Sequence, residues 1–238
     1  MTRRPVVLAV ATALLVPSAA VADHRPGHAP GGGGGGGGAT TISALDAKPN
    51  PLVFGATTEL SGRLSGGSAG NVNLRLEIDT SRPYGDVYRT ATTPAGAPLT
   101  ATSDRNGRFV FSVRPRRNTQ YRAVAQTTPP VTSAARLVLV RPHVGLIVSD
   151  TTPRAGSRVR FRGTVRPAHD GRNVLIQRQT SAGGFTTIAR TVLRDAGSVY
   201  SSYSRRIRVN RDGVYRVKLA GDADHVNGFS RLITINAG

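Results

Sequence analysis

Phe161-Arg162-Gly163, followed by Gly171, repeats the pattern of Leu60-Ser61-Gly62, followed by Gly70, at the same spacing. Each copy follows a turn built on proline and glycine: Pro51-Leu52-Val53-Phe54-Gly55 in the first and Pro153-Arg154-Ala155-Gly156 in the second. Each later reaches a Tyr-Arg pair, at Tyr121-Arg122 and Tyr215-Arg216. A shared period of one small domain means two tandem modules. Working outward, module one runs from Thr40 to Pro142 and module two from His143 to Gly238. Arg141-Pro142-His143 is the joint, which Pro142 keeps short and extended.

Each module reads as about seven short strands separated by turn signals. Val72, Leu74, Leu76 and Ile78 alternate with Asn73, Arg75 and Glu77, the period of a half-buried strand. Asp104-Arg105-Asn106-Gly107 is a tight turn, after which Phe109, Phe111 and Val113 share a face. In module two the strands fall near 144–148, 158–165, 174–178, 186–192, 199–209, 214–219 and 230–235. No helical period is sustained beyond the first residues, and Thr, Val and Arg dominate between Gly and Pro. Even spacing of short strands favours a β-sandwich over a βαβ fold.

The first residues read as an export signal, residues 1–22. Arg3 and Arg4 precede an apolar stretch from Val6 to Val16, too short to span a bilayer, and Ala20-Val21-Ala22 offers a cleavage site. Residues 23–39 read as a disordered spacer, because the glycine run from Gly31 to Gly38 buries nothing and costs maximal backbone entropy to order. It reaches about 15 Å on average. His24 and His28 stand in this tail as a weak Cu(II) or Ni(II) pair, or as two solvated histidines. The chain has no cysteine, so neither module has a disulfide and each must rest on its apolar core. These features predict a secreted, extracellular or cell-envelope protein, with no membrane span once the signal is removed.

The formal charge is +19, supplied almost wholly by arginine, since Lys48 and Lys218 are the only lysines. Such a balance favours anionic partners such as a cell-wall teichoic acid, an anionic lipid surface, nucleic acid or an acidic polysaccharide. A compositional bias on a solvated surface is the alternative. No specific nucleic-acid motif is present.

The runs Gly107-Arg108-Phe109-Val110-Phe111, Asn118-Thr119-Gln120-Tyr121-Arg122 and Asp212-Gly213-Val214-Tyr215-Arg216-Val217 resemble the immunoglobulin-like repeats of secreted actinobacterial proteins. So does Gly221-Asp222-Ala223-Asp224-His225. The resemblance covers both modules and implies an all-β chain of two tandem immunoglobulin-like β-sandwiches. Its motifs are structural and imply no activity. In module one Thr127-Thr128-Pro129-Pro130 replaces the acidic run. Tyr121 and Tyr215, each at the start of the penultimate strand, resemble tyrosine corners whose hydroxyls bond nearby backbone. Gly62 and Gly163 are the matching structural glycines.

No catalytic constellation stands out, so the chain reads as a non-enzyme with no cofactor. Glu59 and Glu77 are the only glutamates, and no nucleophile elbow, zinc-protease helix or phosphate loop is present. Asp222, Asp224 and His225 are weak candidate ligands for Ca²⁺ or Zn²⁺. The competing reading is that the aspartates cap their own turn. Tyr84 and Tyr88 offer a small sugar-stacking platform or, alternatively, a loop anchor.

The basic feature with most positional content is Arg158-Val159-Arg160-Phe161-Arg162, with Arg206-Ile207-Arg208-Val209 as its counterpart. Strand alternation sends Val159 and Phe161 inward and the arginines outward. In an immunoglobulin-type topology these are the second and fifth strands, which pair. Arg158, Arg160, Arg162, Arg206 and Arg208 then form one candidate anion-binding face. Module one carries Glu59, Ser61 and Arg63 at the equivalent place. The expected role is a non-catalytic envelope or extracellular binding or spacer protein that contacts an anionic polymer. The alternatives are an accessory pair for an extracellular enzyme or a cryptic hydrolase, and a surface protein tethered by an uncleaved signal.

Overall fold

Alternation of apolar and polar residues is carried into burial along nearly every long strand of the computed structural model, which describes residues 38–238 except Ser68. The signal segment and most of the spacer, with His24 and His28, lie outside the described residues. The described residues contain strands and turns and no helix. In module one a four-stranded sheet is formed by Thr41–Ile42, Asp46–Lys48, Thr58–Ser65 and Arg108–Val113. A six-stranded sheet is centred on Asn73–Asp79 paired with Thr119–Ala125. In module two one five-stranded sheet is centred on Ser157–Arg166 paired with Ser201–Val209. The other is centred on Asn173–Gln179, flanked by Phe185–Val192 and Gly213–Leu219. The chain is thus all-β, with two sandwiches in tandem.

Each sandwich has its own core. Leu60, Leu64, Leu74, Leu76, Phe111 and Val138 are buried together in module one. Phe161, Val165, Ile176, Leu193, Val217 and Leu219 do the same in module two. Their inner faces supply the apolar area that a chain without disulfides depends on, each fully buried large side chain contributing roughly 1.5–3 kcal/mol. Tyr121 and Tyr215 sit within these clusters, both nearly inaccessible.

The repeat extends to hydrogen bonds that sequence spacing does not display. Ser133 Oγ accepts from Ala123 N at 2.9 Å, and Ser230 Oγ accepts from Val217 N at 2.8 Å. Glu77 faces Arg122 across one strand pair, and Gln177 faces Arg216 across the other. Each arginine lies over an aromatic ring, Arg122 over Tyr88 at 3.7 Å and Arg216 over Phe185 at 3.6 Å. Alternation puts Glu77 on an outward row, yet its side chain is only 11% exposed, because Arg75 and Arg122 close over it. Burial pushes the Glu77 carboxyl up, but the two guanidiniums outweigh it and hold it below the usual range.

The long connection after Asn73–Asp79 is organised by Asp79. Its carboxylate accepts from Ser81 N at 2.8 Å and Gly85 N at 2.7 Å. These backbone donors, Ser81 foremost, hold the carboxyl below its ordinary value against the opposing effect of burial. Tyr84 and Tyr88 anchor the same connection to the start of the neighbouring strand Thr119–Ala125. Tyr88 Oη donates to Gln120 Oε1 at 2.8 Å, and Tyr84 Oη donates to the Asn118 carbonyl at 3.4 Å.

The two glycines singled out by the repeat meet different neighbours. A Cβ on Gly62 runs into the tip of the Phe109 ring, which can tilt. A Cβ on Gly163 runs into the backbone carbonyl of Gly145 and the Tyr203 hydroxyl. That hydroxyl donates to the Gly145 carbonyl at 2.6 Å, so it has no free direction in which to move. Gly163→Ala is therefore expected to cost about 3 kcal/mol and Gly62→Ala about 1 kcal/mol, both read from urea unfolding. Equal losses would show that the Tyr203–Gly145 contact is not rigid. Asp79→Ala is expected to cost about 2 kcal/mol at neutral pH. The folded carboxyl titrates below its unfolded value, so this contribution is full above about pH 4 and fades as pH falls through the folded value. Unfolding at acid and neutral pH reads the difference, which should shrink in acid.

Candidate functional site

The candidate arginine face is assembled by antiparallel register. Arg158 stands opposite Arg208 and Arg160 opposite Arg206, while Arg162 stands opposite Ser204. All five arginines are exposed, whereas Val159 and Phe161 between them are buried. Four of them, Arg158, Arg160, Arg162 and Arg206, line a shallow recess of about 560 Å³ with Val148 and Ser149. Ser149 Oγ accepts from Arg160 N at 3.0 Å, which fixes that rim of the recess.

Among the described residues no carboxylate pairs with any of the five. The acids that form ion pairs are Asp46, Glu77, Asp222 and Asp224, all elsewhere. Module one differs at the same place. Glu59 pairs with Ser112 and Ser61 with Val110, and Lys48 stands opposite Glu59 on the other side. The outer face of the second sheet of module two is also different, because Arg216 there is already held between Phe185 and Phe229 and bonded to Gln177. On this sheet of module two the five guanidiniums therefore stand without an acidic partner among the described residues.

A recess of about 940 Å³ lies in module one, lined by Ile78, Leu99, Val113 and Tyr121 and by Arg89, Arg114, Arg116 and Arg117. No carboxylate or histidine lines it.

The acidic loop of module two lies at the joint. Asp222 Oδ1 accepts from Asp224 N at 2.9 Å and His225 N at 2.8 Å, the turn-capping arrangement. Asp222 Oδ2 lies 2.6 Å from Arg172 Nη1 and 3.1 Å from His169 Nε2. His169 was not singled out by sequence. Its position matches Ser68 of module one by the spacing of Gly163 and Gly62, and that divergence between the copies was the available signal. Asp224 points elsewhere: its carboxylate faces Arg117 at 3.4 Å and its carbonyl accepts from Asn118 N at 2.7 Å. The side chains that converge are therefore His169, Asp222 and His225, and Asp224 is not among them. Burial pushes the Asp222 carboxyl up, but backbone donation from Asp224 and His225 outweighs it and holds the group below the ordinary range.

The same loop ties the modules together. His225 Nε2 is 2.9 Å from the Arg116 carbonyl, and Val226 N donates to the Val140 carbonyl at 2.9 Å. Phe54 meets the His225 ring edge-on at 6.5 Å. The tyrosine corners take a different form from the one expected. Among the described residues neither Tyr121 nor Tyr215 donates to backbone, and in module two the backbone-bonded hydroxyl belongs to Tyr203. A tyrosine ring reaches the core from either row, and the hydroxyl bonds only where a carbonyl such as that of Gly145 faces it.

No protein-family model and no curated protein matches the sequence. Among solved structures the chain is similar to a tetra-tandem repeat in the extending region of a large adhesion protein, at 17% identity and a TM-score of 0.32. That match covers 84% of this chain and 50% of the other, so the chain spans about half the length of that fragment. It is similar to a marsupial T cell receptor at 9% identity and a TM-score of 0.33, covering 84% of this chain and 73% of that one. Bovine butyrophilin matches at 14% identity and a TM-score of 0.33, covering 83% and 99%. At these values the likeness carries no argument about ligand or activity.

Like charges directly opposite each other across a strand pair destabilise it. Arg160→Thr and Arg206→Thr are therefore each expected to stabilise module two by about 0.2–1 kcal/mol at low salt. The gain should largely vanish in about 1 M salt, where screening acts within about 3 Å. Thermal unfolding at the two salt concentrations measures it.

Proposed function

We propose that this chain is a non-catalytic, extracellular or envelope-associated binding protein that holds an anionic polymer on the arginine face of module two. The observation that carries the reading is the cross-strand register of Arg158 with Arg208 and Arg160 with Arg206, without a carboxylate among the described residues to neutralise them. A fold that keeps such repulsion gains from an anionic partner what it loses alone. Guanidinium groups suit the task, because each presents a planar fork of donors to phosphate, sulfate or carboxylate. The exposed, nearly flat geometry fits a polymer better than a small enclosed ligand. Contact is multivalent, so affinity comes from counterion release and falls steeply with salt. An export signal on residues 1–22 and a glycine spacer are consistent with a site displayed away from a surface.

The reading is tested by retention of the mature chain on immobilised heparin and wall teichoic acid. Affinity is expected to fall about a hundredfold between roughly 50 and 200 mM salt if five phosphate-like contacts are made. Replacing Arg158, Arg160, Arg162, Arg206 and Arg208 with Ser should abolish retention. A charge-matched variant with Arg82, Arg89, Arg105, Arg108 and Arg114 replaced instead, all exposed in module one, should retain most of it. Equal loss in both variants would mean that net charge, and not this face, drives binding.

A further inference from the structure

We propose that His169, Asp222 and His225 form a site for a divalent transition metal of the zinc class, and that the bound ion stiffens the joint between the modules. The argument begins with where each imidazole proton must lie. His169 Nδ1 is 2.7 Å from the Pro167 carbonyl. A carbonyl only accepts, so Nδ1 carries the proton and Nε2 carries a lone pair in the neutral ring. His225 Nε2 is 2.9 Å from the Arg116 carbonyl, so its proton is there and Nδ1 is bare.

Both bare nitrogens face the same carboxylate. His169 Nε2 lies 3.1 Å from Asp222 Oδ2, and His225 Nδ1 lies 3.3 Å from Asp222 Oδ1. Acceptor meets acceptor at both contacts. His225 Nδ1 has no hydrogen-bond partner although its side chain is only 8% exposed, and the His169 side chain is 5% exposed. Two buried lone pairs opposed to a carboxylate need a positive centre between them. A single divalent cation satisfies all three groups at once.

The spacing suits such an ion. All three donor atoms lie within 4.8 Å of one another. Tetrahedral zinc with bonds near 2.0–2.1 Å has ligand-to-ligand edges of about 3.3 Å, which the His169 Nε2–Asp222 Oδ2 pair already matches at 3.1 Å, while His225 Nδ1, now 3.3 Å from Oδ1, closes on the same ion by a small shift of its ring. The outer partners also suit a metal site, since metal-bound histidines generally donate their other N–H to a carbonyl or carboxylate. Both histidines already do so, and Asp222 is oriented by two backbone N–H groups and Arg172. Two imidazoles and one carboxylate favour zinc over Ca²⁺ or Mg²⁺, which take larger all-oxygen sets. Three protein ligands leave a fourth position for water.

The site couples to the joint because His225 is held by the Arg116 carbonyl of module one, while His169 and Asp222 belong to module two. Fixing the His225 ring against module two fixes the hydrogen bond that crosses between them. This coupling is independent of the arginine face and survives if that face binds nothing. The Arg172 guanidinium, 2.6 Å from Asp222 Oδ2, repels a cation there and weakens its binding.

The test uses the full mature chain with His24 and His28 replaced by alanine, so that the tail cannot contribute. Zn²⁺ alone is titrated by calorimetry near pH 7.5, Co²⁺ by visible absorption, and melting is followed with Zn²⁺ or chelator. One ion per chain, a four-coordinate Co²⁺ spectrum and a melting rise of about 5 °C or more at roughly a hundredfold excess over the dissociation constant are expected. His169→Gln and His225→Gln should each weaken binding at least about tenfold, and Asp224→Asn should not. If His225→Gln disrupts the joint, His169→Gln decides, because its hydrogen bonds lie within module two. No stoichiometric Zn²⁺ binding, or binding unchanged in His169→Gln, overturns the proposal. So does a melting temperature that responds to acid but not to Zn²⁺, which would mean that protons fill the cluster instead.

Discussion

Burying Val159, Phe161 and Val165 commits Arg158, Arg160 and Arg162 to the opposite side of the same strand. A strand has a period of two, so one row cannot be moved without the other. The magnitudes settle which row dominates. Each large apolar side chain withdrawn from water contributes roughly 1.5–3 kcal/mol, whereas a cross-strand charge clash costs about 1 kcal/mol or less. Burial wins, and the arginines are driven into register with Arg206 and Arg208 as a consequence. In a chain without disulfides this inner row is what the sandwich stands on.

The two modules solve the same packing problem and then differ on their surfaces. Both place a serine hydroxyl against the penultimate strand, and both lay an arginine across an aromatic ring on the outer face of the second sheet. Module one anchors that arginine to Glu77, module two to Gln177. The first sheet diverges more: module one mixes Glu59, Ser61 and Arg63, while module two presents unpaired arginines. Conserving the core while altering outward rows carries little structural cost, since exposed positions make few packing contacts.

The joint is more than a linker. Backbone bonds from Asn118 to Asp224 and from Val226 to Val140 cross it, and Pro142 is buried between the flanking strands. The acidic loop that caps its own turn through Asp222 therefore also carries the contact between modules. The two oxygens of the Asp222 carboxylate are used differently. Oδ1 serves the loop, and Oδ2 faces Arg172 and His169.

Strand positions, the inward rows and the outward arginines of module two were legible in the amino-acid sequence, because alternation is a local property and burial of Val159 and Phe161 leaves it one solution. The tandem repeat was legible for the same reason, through turn glycines and prolines that recur at fixed spacing. The His169–Asp222–His225 group was not. His169 and Asp222 are 53 residues apart, on two loops that meet only when both sheets have closed. Nor did local pattern distinguish Tyr203 from Tyr121 and Tyr215, since a hydroxyl's partner depends on which carbonyl the opposing strand brings to it. The sequence by itself determined which row of the long strands packs inward. Tertiary structure decided which loops touch, because that depends on how one sandwich end is set against the next.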